Sequence, residues 1–149
     1  MAKANKAPMF VRVANVLMTT LLRAGVKVVG FGKYPTYLLT VQGRKSGQPR
    51  TVPIVIIQQH GKRYLTSPYG IVDWVRNLRA AREATLTRGR RSETVSAREL
   101  SSKEAAPVLR EDVRNGNPFA RSFGVTADSS LEDFERATVA HPMFVLEQK

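Results

Sequence analysis

The chain has 149 residues, 42% of them apolar, so one domain spanning 1–149 with its own core is expected. It has no cysteine, which excludes disulfides, thiolate metal sites and cysteine nucleophiles and points to a cytoplasmic protein. The formal charge of +12 is one-sided: no acidic residue precedes Asp73, while eleven Lys and Arg do, which calls for an anionic partner such as an anionic cofactor, a membrane surface or nucleic acid.

In chain order, residues 1–7 form a polar arm. From Pro8 onward Arg12, Asn15, Thr19, Arg23 and Lys27 recur at spacings of three and four, leaving an apolar face of Phe10, Val13, Leu17, Met18 and Leu21. That periodicity predicts an amphipathic helix over 8–25, an appendage of the domain that either packs on it or lies peripherally in an anionic membrane interface. Arg12 and Arg23 stand too close together for a transmembrane span between them, and no signal-peptide cleavage pattern is present. Gly30-Phe31-Gly32-Lys33-Tyr34-Pro35 is a turn-rich connection.

A strand is predicted near Thr36 to Gln42 and a second from about Arg50 to Gln58. Between them lies Gly43-Arg44-Lys45-Ser46-Gly47-Gln48-Pro49, a basic turn with two glycines and a hydroxyl. Glycines let backbone N–H groups converge on an anion, and arginine adds bidentate, permanently charged donors. A solvated basic hairpin is the alternative reading. His60-Gly61 turns the chain into a third strand, Arg63 to Ser67, and three strands on short turns suggest an antiparallel sheet. After Ser67-Pro68-Tyr69-Gly70, Asp73 is the predicted N-cap of a helix from Trp74 to Ala81. Trp74 there serves either as a core anchor or as a ligand wall.

Further strands are predicted at Thr85 to Arg88, Ser92 to Leu100 and Met143 to Glu147. Ser101 and Glu104 form a capping box for a helix ending near Asn115, with Pro107 expected to delay its regular part, and a short helical turn is predicted at Leu131 to Arg136. The sum is an α+β fold, mainly β: about six antiparallel strands in a small closed or split β-barrel with helices at its mouth.

Familiar catalytic machinery is missing. There is no nucleophile elbow, no metal-ligand spacing and no Walker or Rossmann glycine pattern, and His60 and His141 are isolated turn residues of structural type. An enzyme built this way needs a cofactor to carry the reaction, and the basic turn requires that cofactor to be anionic.

The Gly43 to Pro53 segment, followed some twenty residues later by Asp73-Trp74-Val75-Arg76-Asn77-Leu78-Arg79-Ala80, resembles the deazaflavin-dependent nitroreductase family. The resemblance implies a split β-barrel of the FMN-binding and pyridoxamine-oxidase-like kind, and the coenzyme F-420, with its phosphodiester and oligoglutamate tail; FMN is the alternative cofactor. It implies that Arg44, Lys45, Ser46, Gly47 and Arg50 hold the phosphate end, that Thr51 and Pro53 line the ring pocket, that Ser67, Pro68, Tyr69 and Gly70 face the ring edge, and that Trp74 and Asn77 border it. Arg76 and Arg79 would either reach the tail carboxylates or form a solvated helix face. The usual glycine-rich insert and His-Pro before the tryptophan are absent, so a divergent branch acting on apolar acceptors is implied, with Phe119 and Phe123 as substrate-side aromatics.

The expected function is therefore hydride transfer from reduced F-420 to a quinone, an unsaturated lipid or a nitro compound, with no protein nucleophile. A non-catalytic lipid- or membrane-associated binding protein is the alternative. Nucleic-acid binding rests on charge alone, and a homodimer is left open.

Overall fold

The computed structural model describes residues 35–149. The helix expected over 8–25, and with it the proposed membrane contact, lies outside the described residues, as does most of the turn before Pro35. No helix among the described residues is long and apolar enough to cross a membrane.

Among the described residues, seven strands form one sheet: β1 (Thr36–Gln42), β2 (Pro49–Val55), β3 (Ile57–Gln59), β4 (Lys62–Thr66), β5 (Glu83–Arg88), β6 (Arg91–Glu99) and β7 (Met143–Gln148). They are ordered β2-β1-β5-β6-β7-β4-β3 with every pair antiparallel. The two edge strands, β2 and β3, are consecutive in sequence and separated by Ile56 alone. One residue cannot span an open seven-stranded sheet, so the sheet has to curl until its edges approach. The expected split barrel is the result.

That corner is also where expectation and structure part. The single strand expected from Arg50 to Gln58 breaks at Ile56, whose side chain is fully buried and whose N–H donates to the Pro35 carbonyl at 3.2 Å instead of to a ladder. Six expected strands thus become seven. The antiparallel pairing expected of the first three strands holds for β1 with β2 and for β3 with β4, and β4 pairs with β7 on its other side.

Strand alternation sorts side chains between two cores. Leu39 and Val41 of β1, Ile54, Ile56, Leu65, Leu86, Val95, Phe144 and Leu146 fill the barrel interior, which α1 (Asp73–Ala81) closes with Val75 and Leu78. On the outer face, Ile57, Tyr64, Met143 and Val145 pack under α2 (Ser102–Arg114) and α3 (Leu131–Ala140) with Leu109 and Phe134. β7 is apolar on both faces because it separates the two cores. Phe119 and Phe123 pack in this second core, away from the cleft described below. Phe123 also meets His141 edge to face at 5.2 Å.

Helix boundaries follow their caps. Ser101 with Glu104 and Ser130 with Asp133 both close capping boxes. The first box starts α2 at Ser102, and the helix runs unbroken through Pro107, whose fixed φ is already helical. The second extends the expected turn at Leu131 to Arg136 into a ten-residue helix ending at Ala140. Asp73 is not the N-cap: Val72 holds that position without a side-chain bond, and Asp73 is the first residue of α1.

Candidate functional site

The turn between β1 and β2 is set by its backbone. Gly43 N–H donates to the Gln48 carbonyl at 2.8 Å, and Gly47 N–H donates to the Gly43 carbonyl at 2.9 Å. Gly47 has a φ of 70°, a left-handed conformation that glycine adopts without a Cβ penalty. The Ser46 hydroxyl accepts from Gln48 N–H at 3.2 Å, which leaves its proton free to donate. A Cβ on Gly43 would come within 2.9 Å of Ser46 Oγ and 3.1 Å of the Gln48 carbonyl oxygen, so the turn closes only around a hydrogen at that position.

Between this turn and α1 lies a cleft of about 690 Å³. The hairpin register puts Arg50 opposite Val41 and Val52 opposite Leu39, carrying the basic turn over the end of the barrel interior. Of the residues expected at the site, Arg44, Lys45, Ser46, Arg50, Thr51, Trp74 and Asn77 line the cleft together. Its lining also includes Val41, Gly43, Pro49, Val52 and Asp73, which the expectation had not placed there. Val41 and Val52 were readable from strand alternation as inward residues beside the turn. The register that brings them to the cleft was not.

The other expected residues sit elsewhere. Gly47 opens onto a separate cleft of about 420 Å³ on the outer side of β1 and β5, with Thr40, Gln42, Thr85 and Thr94. Pro53 pairs with Leu38 further along the sheet and does not line the cleft. Ser67, Pro68, Tyr69 and Gly70 form the turn that delivers α1: the Ser67 hydroxyl and Gly70 N–H both bond within it, and Gly70 has a φ of 85°. His141 Nδ1–H donates to the Ser67 carbonyl at 2.8 Å, which fixes the protonated ring nitrogen and pins this turn to the C-terminal end of α3.

The arginines divide by their partners. Arg44 backbone N–H and Nη1 both donate to Asn77 Oδ1, at 3.1 and 2.7 Å, and Nη2 stands 3.6 Å from Asp73 Oδ1. Its guanidinium is therefore turned onto α1. Arg79 lays its fork on Glu99, with Nε to Oε1 at 2.8 Å and Nη2 to Oε2 at 2.9 Å, and that hydrogen bonding raises its pKa further above the usual arginine value. Arg79 is thus engaged on β6 and not turned to the cleft. Arg76 lies outside the cleft lining, with a buried Nη1 that has no hydrogen-bond partner among the described residues. Lys45 and Arg50 carry no ion pair with a described residue. Trp74 lines the cleft while its ring packs on Phe144 at a centroid distance of 6.3 Å. No group of His, Asp or Glu suited to a metal ion occurs among the described residues.

A curled antiparallel half-barrel is the split-barrel fold of pyridoxamine-oxidase-like proteins. The comparisons agree. A protein from Clostridium acetobutylicum related to general stress protein 26, of the pyridoxinephosphate oxidase family, aligns at a TM-score of 0.52 and 10% identity over 89% of this chain and 82% of its own. An F-420-H2 dependent reductase (FDR-A) aligns at a TM-score of 0.54 and 24% identity, over 76% of this chain and 94% of that one. A domain-swapped dimer aligns at 0.57 and 23% identity, over 89% and 95%. None of the curated proteins matches the chain. The family model for the F-420H(2)-dependent quinone reductases matches residues 14–131, and the chain belongs to that family. It is an oxidoreductase, and its coenzyme is F-420.

Proposed function

We propose that the cleft between the Gly43–Gln48 turn and α1 holds coenzyme F-420 and that the electron acceptor is a quinone. The observation that carries this reading is the mixed lining of one 690 Å³ cleft: Lys45, Ser46 and Arg50 supply charge and a hydroxyl, and Val41, Val52 and Trp74 supply apolar surface. The donor set fits the coenzyme, since two cations without a described counter-ion and a hydroxyl with a free proton match a phosphodiester followed by carboxylates. The side-chain-free Gly43 lets the turn close tightly enough to bring them together.

Each group has a task. Lys45 and Arg50 hold the phosphate end, and Ser46 donates its hydroxyl proton to it. Arg44 ties the turn to α1 through Asn77 and Asp73, so that the two walls keep a fixed separation. Thr51 Oγ1 bonds Thr40 Oγ1 at 2.9 Å, which holds the β2 wall to β1. Trp74, backed by Phe144, gives the planar ring system a rigid apolar face. When bound, the reduced coenzyme supplies a hydride, which with a solvent proton converts a quinone to its hydroquinone. An unsaturated lipid or nitro compound is the competing acceptor class, and apolar cleft walls favour a quinone over a polar acceptor. A homodimer belongs to the same reading, motivated by the domain-swapped dimer among the similar structures; light scattering gives the mass.

Trp74 is the sole tryptophan of the chain, so its fluorescence reports the cleft directly. Titration with F-420 gives saturable quenching with a Kd in the micromolar range, and the reduced coenzyme is oxidised on addition of a soluble quinone. No quenching up to about 100 μM, where binding is worth only some 5 kcal/mol, would overturn the proposal.

A further inference from the structure

The cleft contains one polar group whose direction is fixed by the protein itself. Asn77 is 5% exposed, and its Oδ1 receives two donors from the same residue, the Arg44 backbone N–H and Arg44 Nη1. Neither donor offers an acceptor to an amide NH2, so the side chain has a single possible orientation. Asp73, one helical turn earlier, takes the other end of the Arg44 guanidinium. The amide nitrogen is consequently the outward end. Asn77 Nδ2 bonds no described residue and is not among the buried polar atoms left without a partner, and Asn77 lines the cleft.

We propose that Asn77 Nδ2 is the ring-recognition donor of the cleft, hydrogen-bonding a carbonyl oxygen of the bound heterocycle, and that Arg44 is a positioning residue for it. The inference rests on the coenzyme reading above. The cations without described counter-ions, Lys45 on the turn and Arg50 at the start of β2, lie at this end of the hairpin, so the anionic end of a ligand is drawn there. The uncharged end then falls against α1, where Trp74 and Asn77 are three residues apart on one helix face. A neutral amide donor suits a neutral carbonyl, while a cation at that position would pull the phosphate into the ring site. Arg44 therefore recognises the ligand through Asn77 and not through the phosphate.

The test compares the full-length wild type with Asn77→Asp and Arg44→Met, read by coenzyme Kd and by the absorption band of the bound oxidised coenzyme, which a hydrogen bond to a ring carbonyl displaces. Asn77→Asp keeps an oxygen for Arg44 and removes the donor; it is expected to raise Kd at least tenfold and to return the band to its free position. Competition by inorganic phosphate, which probes the anionic end, stays within twofold of wild type. Arg44→Met, at a solvent-accessible position, shifts the band in the same direction and supplies an arm that does not depend on Asn77→Asp folding. The double variant binds no more weakly than the weaker single one, because both act on one hydrogen bond. Wild-type Kd and band in either single variant, or additive effects in the double, overturn the inference and leave the coenzyme reading intact. Failure of the wild type to bind coenzyme overturns both.

Discussion

Trp74 and Phe144 meet with ring centroids 6.3 Å apart and planes inclined by 50°, so one wall of the cleft rests directly on the barrel core. Phe144 is 1% exposed and lies on β7, the strand that separates the two cores. Phe144→Ala is expected to cost about 3–5 kcal/mol, a transfer loss plus a cavity that the surrounding strands cannot collapse into. The Trp74 emission should also move to longer wavelength as its ring loses backing. Chemical denaturation and emission spectra measure both, and an unchanged emission maximum would show that Trp74 is held by other contacts.

Gly43→Ala acts on the turn without touching its charges. The added Cβ would lie 2.9 Å from Ser46 Oγ and 3.1 Å from a backbone oxygen, and the backbone cannot yield as a side chain can. The expected result is a loss of about 1–3 kcal/mol of stability, the usual range for overpacking, with coenzyme affinity reduced tenfold or more because the turn opens. Calorimetry and fluorescence titration check the two effects. Gly47→Ala, strained instead by its φ of 70°, should lower stability while altering affinity less, since Gly47 does not line this cleft.

Local features were the legible ones. β1 begins and ends where its apolar Leu38-Leu39-Thr40-Val41 run predicts, and Ser101 with Glu104 announces α2. Helix α3 outran its prediction because Ala137 and Thr138 pack its C-terminal turn inward, which periodicity over ten residues does not reveal. The break at Ile56 was hidden because Val55-Ile56-Ile57 is a continuous apolar run, and only sheet closure demands that one residue leave the ladder. At the cleft, residue types signalled an anion site, but not which cations remain for it. Arg44 and Arg79 look alike in sequence to Arg50. Their carboxylate and amide partners come from 20 to 33 residues away, a distance over which spacing carries no information.

Lys45 and Arg50 should carry the anion affinity. Both are exposed, so Lys45→Ala and Arg50→Ala are expected to leave the melting temperature within a degree or two, as surface substitutions generally do. Each charge-assisted contact is worth about 1.5–3 kcal/mol, which corresponds to roughly a 10- to 100-fold rise in coenzyme Kd. The wild-type Kd should weaken as ionic strength rises, and less steeply in each variant, because one fewer exposed charge is being screened. Titrations at two salt concentrations decide the matter; a variant that binds as tightly as wild type at both would remove that residue from the phosphate site.

The two capping boxes predict an acid-labile outer layer. The Glu104 carboxylate accepts from Ser101 N–H and pairs with Arg98, and Asp133 accepts from Ser130 N–H and faces Arg136, so both pKa values are lowered from their ordinary 4.5 and 3.8. A lowered folded-state pKa means that the unfolded chain binds protons first as acid is added. The stabilisation is therefore complete above about pH 5, where both states are ionised, and it is lost as pH falls past the ordinary values toward the depressed ones. Wild-type melting temperature should be flat at neutral pH and decline below about pH 5. Glu104→Gln and Asp133→Asn keep a hydrogen-bonding side chain at the third helical position but cannot titrate. The double variant should melt lower than wild type at neutral pH and show a shallower decline between about pH 5 and 3. Parallel declines would place the acid sensitivity in other carboxylates.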